Sequence, residues 1–138
     1  MLNKLYIGMI IFVSALVLIG CINSINTVKY DRGGDTSIYR ARGIEYHNNP
    51  DLTLTINGEC YSACTVMADI ARPSACITEN ALFFFHKGAY EGNLDIRLKV
   101  KYSSDIDTWI ERHGGQPEKG FLKMSFEEAK AFWKICEN

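Results

Sequence analysis

Ser62 and His86 are the residues of this chain whose types and surroundings could do chemistry. Ser62 follows Leu52-Thr-Leu-Thr-Ile-Asn-Gly-Glu-Cys-Tyr, an alternating apolar run that reads as a strand, and precedes the small residues Ala63-Cys-Thr, which suit a sharp entry into a helix. A serine at such a bend stands at a helix N-terminus, where the first backbone N–H groups lack intrahelical partners and can hold a developing oxyanion. His86 comes 24 positions later (86 − 62), at the end of the apolar run Ala81-Leu-Phe-Phe-Phe. A histidine delivered there by the next strand could take the hydroxyl proton, and the chemistry would be acyl transfer through a serine nucleophile. The plainer reading of the same residues is structural: serine is a common N-cap, and a histidine beside phenylalanines is often a satisfied core residue.

Spacing separates the two readings. Thr27-Val-Lys-Tyr-Asp-Arg-Gly33-Gly34 is a short strand-like run ending in a glycine pair 28 residues before Ser62 (62 − 34). A Gly-Gly loop, then the turn Gly58-Glu-Cys-Tyr-Ser62, then the strand-borne His86 resembles the Clp protease proteolytic subunit and the wider Clp/crotonase superfamily. Within it the chain looks most like the periplasmic Clp-peptidase-like proteins, whose serine turn tends to read C-x-S-A-C, as Cys60-Tyr-Ser62-Ala63-Cys64 does here. The resemblance covers roughly residues 27–90, with an echo in Gly120-Phe-Leu-Lys-Met-Ser-Phe-Glu-Glu-Ala129, similar to the entry to the family's last helix.

The resemblance implies an α/β chain with a Clp/crotonase-like layered fold, a small parallel sheet flanked by helices. It implies Ser62 as nucleophile, His86 as base, and backbone N–H groups of Gly33, Gly34 and Ala63 around the oxyanion. It further implies a peptide or protein substrate lying along a sheet edge, no cofactor and no metal, with oligomerisation open. The family's acidic residue falls just before the Phe-Leu pair, where this chain has Lys119 with Glu118 beside it. Glu118 is the first candidate to orient His86, with Asp105 and Asp107 as alternatives, and Lys87 or Lys119 could instead serve as a lysine base like that of the superfamily's signal-peptide peptidases. The family's extra strands before the Gly-Gly loop are missing and the His86–Phe121 segment is short, so a minimal version of the fold is expected, without a double ring.

Lys4 precedes Leu5–Gly20, sixteen residues without a charge, which is the pattern of an export signal and short for a membrane span. Leu18-Ile19-Gly20-Cys21 resembles a lipoprotein cleavage motif with Cys21 as the lipid-bearing thiol, the alternative being an uncleaved signal anchor. Residues 1–20 are therefore expected to be a signal segment and residues 21–138 a single domain at the bacterial cell envelope, facing the periplasm or the exterior, where no ATP-dependent unfoldase would be available. Cys60, Cys64, Cys76 and Cys136 then remain as an even set in an exported domain, which points to disulfides. Of the three pairings, Cys64 with Cys76 and Cys60 with Cys136 is favoured, because the first turn of the serine helix should lie near the start of the His86 strand. Zinc is the competing use of four cysteines, but paired C-x-x-C knuckles are missing.

Fifteen basic residues against 16 acidic ones, with no basic cluster, argue against nucleic acid as a partner. Patterning predicts strands at 25–31, 52–56 and 81–86, the last buried on both faces, and helices at 35–47, 63–72, 106–113 and 126–136. In the first helix Ile38, Ala41 and Tyr46 are expected to point inward and Thr36 or Ser37 to cap. His47 and His113 read as loop and helix-end residues, Trp109 and Trp133 as core, and Tyr90 and Lys87 could line a groove beside His86. A second function class stays open: a noncatalytic envelope lipoprotein that reuses the fold to bind a partner.

Overall fold

The computed structural model of the chain describes residues 24–90 and 92–138, so the expected signal segment and Cys21 lie outside the described residues. Strand β1 (Ser24–Asp31) is followed by helix α1 (Thr36–Asn48) and by strand β2 (Leu52–Tyr61), which runs parallel to β1. Helix α2 (Ala63–Ile70) leaves β2 directly, and a 3₁₀ turn at Arg72–Ser74 leads into β3 (Ala75–Ile77) and β4 (Leu82–Phe85). A hairpin of β5 (Gly88–Tyr90) and β6 (Asn93–Leu98) precedes α3 (Ser104–Arg112), β7 (Leu122–Met124), the one-turn α4 (Phe126–Ala129) and β8 (Lys134–Ile135).

Strand β2 is the spine of a six-stranded sheet. β1 lies along one edge over both halves of β2, while the other edge is shared: β3 pairs with Leu54–Ile56 and β4 with Glu59–Tyr61, both in parallel. β8 extends β3 in parallel and β7 closes β4 antiparallel. The expected α/β architecture, a small parallel sheet flanked by helices, is the one observed. Gly58 sits where β1 bulges between Val28 and Tyr30, and a Cβ there would fall 2.0 Å from the Lys29 carbonyl oxygen. The glycine of the Gly58-x-x-x-Ser62 turn is thus required by strand approach, four residues before the chemistry.

Alternation along β2 buries Leu54, Ile56, Gly58 and Cys60 on one face and leaves Thr55, Glu59 and Tyr61 half-exposed on the other. The buried face packs on Val66, Met67 and Ala68 of α2 and Ile106, Trp109 and Ile110 of α3, with Phe83 stacked on Trp133 at 4.3 Å. Trp109 and Trp133 are core residues as expected. β4 departs from the expectation of burial on both faces: Phe83 and Phe85 are buried, whereas Leu82 and Phe84 are only half-buried, because among the described residues no helix covers that side of the sheet.

Other departures have local causes. Asp35 caps α1 by accepting the Ser37 N–H at 2.7 Å, and Ile38 and Ala41 face outward. Tyr46 packs inward as expected, joined by Tyr39 and Gly43 in place of Ile38 and Ala41, a 4- and 3-residue spacing on one face, with Gly43 set against Ile70 and Met67 of α2. The last predicted helix stops after one turn: the capping box of Ser125 and Glu128 starts it, and the chain then extends so that β8 can pair with β3. The strand β7 and the β5–β6 hairpin, short or exposed throughout, left no apolar pattern to read.

The cysteines pair as Cys60–Cys64 and Cys76–Cys136, not as Cys64–Cys76 and Cys60–Cys136. The register explains why. Thr55 lies opposite Cys76, five residues from Cys60, or roughly 16 Å along the strand, well beyond disulfide reach. Meanwhile the bend after Tyr61 brings the Cα atoms of Cys60 and Cys64 to 5.3 Å, and the Cys136 N–H donates to the Ile77 carbonyl at 2.9 Å, which sets its side chain beside Cys76. All four thiols are consumed, so the zinc reading falls.

Loop length should separate the two bridges in stability. With separations of 60 and 4 residues, replacing Cys76 and Cys136 by alanine should lower the unfolding free energy by about 4 kcal/mol and replacing Cys60 and Cys64 by about 2 kcal/mol, measured by urea denaturation. A larger loss from the shorter bridge would show that loop length does not set what each bridge contributes.

Candidate active site

The parallel β2–β4 register places Tyr61 beside Phe84, and the pairing runs one step past the end of β2: the Ser62 N–H donates to the Phe84 carbonyl at 2.9 Å. His86, two residues beyond Phe84, is thereby brought level with Ser62. Their side chains meet, with Ser62 Oγ 2.6 Å from His86 Nε2. Ser62 has φ 54° and ψ −122°, and among the described residues it is the one non-glycine residue with positive φ. That backbone costs about 1–3 kcal/mol for a side chain bearing a Cβ, and it persists only where the surroundings enforce it.

The enforcement is visible on every side of the bend. The Cys60–Cys64 disulfide, with both cysteines fully buried, closes a loop over Tyr61, Ser62 and Ala63. The Ser62 carbonyl accepts two hydrogen bonds, from the Thr65 N–H at 2.9 Å and from Thr65 Oγ1 at 2.6 Å. Since the Thr65 hydroxyl proton is used there, the buried Tyr102 O–H donates to Thr65 Oγ1 at 2.7 Å, and burial raises the Tyr102 phenol pKa so that the proton stays. Thr65 and Tyr102 had no signal in the sequence, because a tyrosine 37 residues away along the chain (102 − 65) is found only by folding.

Gly33 takes φ +78°, and a Cβ on it would come within 2.6 Å of the Tyr61 carbonyl and 2.8 Å of the Ala63 nitrogen. Only glycine lets the Gly33-Gly34 loop lie this close to the bend. Its own N–H, expected to face the oxyanion, instead donates to Asp31 Oδ1 at 2.8 Å, an atom that also accepts the Tyr39 O–H at 2.7 Å. The N–H groups of Gly34 and Ala63 have no protein acceptor among the described residues.

Three carboxylates considered as orienters of His86 lie elsewhere. Glu118 pairs with Lys87 Nζ at 2.9 Å, which holds its carboxyl below the usual range. Asp105 makes a two-pronged pair with Arg72 at 2.6 and 3.0 Å, and Asp107 accepts the Tyr102 N–H at 3.3 Å. Among the described residues no carboxylate bonds the second imidazole nitrogen. Lys87, tied to Glu118, is no base for Ser62 either. Around His86 stand Phe121, 4.8 Å between ring centroids, and Arg97; burial first, and the Arg97 charge second, lower the imidazole pKa from its ordinary 6.5. His47 and His113 bond backbone carbonyls of Ile70 and Trp109 and are structural.

These groups open onto a cleft of about 460 Å³ whose walls include Gly33, Gly34, Ser62, His86, Arg97 and Phe121. A nucleophile hydroxyl, a neutral imidazole within hydrogen-bond reach, and free backbone donors beside a vacant volume are the parts that acyl transfer needs. Among the described residues no cluster of histidine, cysteine and carboxylate side chains could hold a metal ion.

No protein-family profile matches the chain, and no curated protein does. Among solved structures it is similar to the ClpP1 N165D mutant from Listeria monocytogenes, with 18% identity and a TM-score of 0.46, over 84% of this chain and 75% of that one.

The Ser62 backbone gives a direct test of the bend. Ser62→Gly should be more stable than Ser62→Ala by about 1 kcal/mol or more, because glycine adopts this φ without a Cβ penalty. Denaturation curves of the two variants measure it, and equal stability would mean that the bend stores no strain.

Proposed function

We propose that this chain is an extracytoplasmic serine hydrolase of the Clp-peptidase-like kind, tethered to the membrane by a lipid on Cys21 or by an uncleaved signal anchor, and acting on peptide or protein substrates. The observation that carries the reading is the positive-φ serine with its Oγ 2.6 Å from an imidazole nitrogen. Two disulfides in so small a domain suit an oxidising compartment, which supports the envelope location.

In this reading Ser62 Oγ attacks the substrate carbonyl while its proton passes to His86 Nε2. The tetrahedral oxyanion is met by the N–H groups of Ala63 and Gly34, with Gly33 supplying close approach in place of a donor. Collapse breaks the bond to the leaving group, which takes the proton from His86, and an acyl-serine remains. A water then gives a proton to His86, adds its oxygen to the acyl carbon and releases the acid, and the proton returns to Ser62. With no carboxylate among the described residues to hold the imidazole tautomer, turnover should be slow: loss of the orienting group costs about 10⁴ in a triad enzyme.

A second reading, a noncatalytic envelope protein that binds a partner with this fold, draws on two observations: the Gly33 N–H is occupied by Asp31, and among the described residues no carboxylate bonds His86. A fluorophosphonate probe distinguishes them. The hydrolase should be labelled at Ser62, the Ser62→Ala variant not at all, and His86→Ala more slowly by about 100-fold or more. Equal labelling of the wild type and Ser62→Ala would favour the binding protein.

The pH dependence has a definite sign. His86 acts as base only when neutral, and its pKa is lowered, so labelling should fall as pH drops through a midpoint below 6.5 and stay level above it. A midpoint above 6.5 in a rate profile from pH 4 to 8 would show that the imidazole does not sense its burial and Arg97.

A further inference from the structure

We propose that the cleft selects substrates carrying a carboxylate a few atoms from the reacting carbonyl, held by Arg97 and Arg32. The inference rests on the acyl-transfer reading of Ser62 and His86 and names the substrate class of that site.

Arg97 and Arg32 both line the cleft that contains Ser62 and His86. They arrive from separate elements. Arg32 directly precedes Gly33 in the loop that touches the Ser62 bend, and Arg97 sits on β6 opposite Ala89, in register with the strand that continues from His86. Among the described residues neither guanidinium lies within ion-pair distance of a carboxylate, whereas Lys87, next to His86, is paired with Glu118.

The carboxylates near this cleft are already engaged. Asp35, also in its wall, accepts the Ser37 N–H and hydroxyl at 2.7 and 2.6 Å, Asp31 holds Gly33 and Tyr39, and Glu118 holds Lys87. In the wall of the cleft the two arginines outnumber the one carboxylate, Asp35. The charged side chains in the wall itself are thus Arg32 and Arg97 against Asp35, an excess of one positive charge, and neither arginine is tied to that carboxylate. Guanidinium groups bind carboxylates by planar, two-pronged hydrogen bonds, and a partly enclosed site strengthens them. Phe121, nearly half exposed beside His86, offers an apolar surface for the chain that joins carboxylate to carbonyl.

The test uses matched chromogenic esters on the folded wild-type domain. Mono-p-nitrophenyl adipate should show kcat/KM about tenfold or more above p-nitrophenyl hexanoate, an acyl chain of equal length without the charge. The same comparison with the carboxylate on the nitrophenol ring, against its methyl ester, tells whether the anion is read on the acyl side, like an acidic side chain, or on the leaving-group side, like a chain terminus. In Arg97→Gln and in the Arg32→Gln, Arg97→Gln double variant the preferred ratio should collapse toward unity, and Arg97→Lys should restore part of it. A ratio near unity in the wild type in both series, or one unchanged in the double variant, would overturn the proposal. If no ester is hydrolysed, it is the hydrolase reading that fails, and NMR titration of the His86 imidazole decides the anion site. Hexanoate but not hexanamide should shift its resonances, and the shift should vanish in the double variant. No shift, or equal shifts in both proteins, would overturn it.

Discussion

A single backbone hydrogen bond, from the Ser62 amide to the Phe84 carbonyl, ties the strand-to-helix bend to the neighbouring strand, and the rest of the site depends on it. It carries the parallel ladder one residue beyond β2, which sets the height at which β4 delivers His86. Parallel pairing needs a long crossover between partners, and here α2, the 3₁₀ turn, β3 and the turn before β4 supply it. Two residues separated by a whole crossover thus meet at 2.6 Å because one ladder rung is kept. The bend itself is unfavourable for serine, so it is held from the far side by the Cys60–Cys64 bridge and by the Tyr102–Thr65–Ser62 chain of hydrogen bonds. Strain imposed by a rigid surround is how a hydroxyl is presented outward in place of relaxing into an ordinary cap.

The electrostatics differ from those of a Ser-His-acid triad. Acids near the site are spent on local structure: Asp31 orders the glycine loop, Asp35 caps α1 and Glu118 pairs with Lys87. What faces the cleft is a neutral imidazole between an aromatic ring and a guanidinium.

The sheet is covered by helices on one face, while the other carries a cluster of Tyr30, Tyr61, Phe84 and Phe121, with Tyr61 and Phe84 stacked at 4.1 Å. Phe121 belongs both to this cluster and to the cleft, so the half-open face and the site are continuous. With a core this small, the Cys76–Cys136 bridge ties the C-terminal strand β8 to β3 where two residues of pairing would hold little by themselves.

By itself the sequence determined the elements whose signals are local. The alternation of Leu52–Ile56, the small residues after Tyr61, the phenylalanine run before His86 and the glycine pair each reflect contacts within a few residues, so the α/β order, the serine at a bend and the histidine at a strand end were legible. Tertiary structure alone decided which cysteines pair, that Gly33 offers close approach while its N–H serves Asp31, that Tyr102 braces the bend, that Glu118 turns to Lys87 and that Arg97 reaches the cleft. Those outcomes follow from strand register and from competition among partners in space. Shifting a pairing by a few residues moves each side chain by ångströms and changes its neighbours without altering the local pattern from which the elements are read.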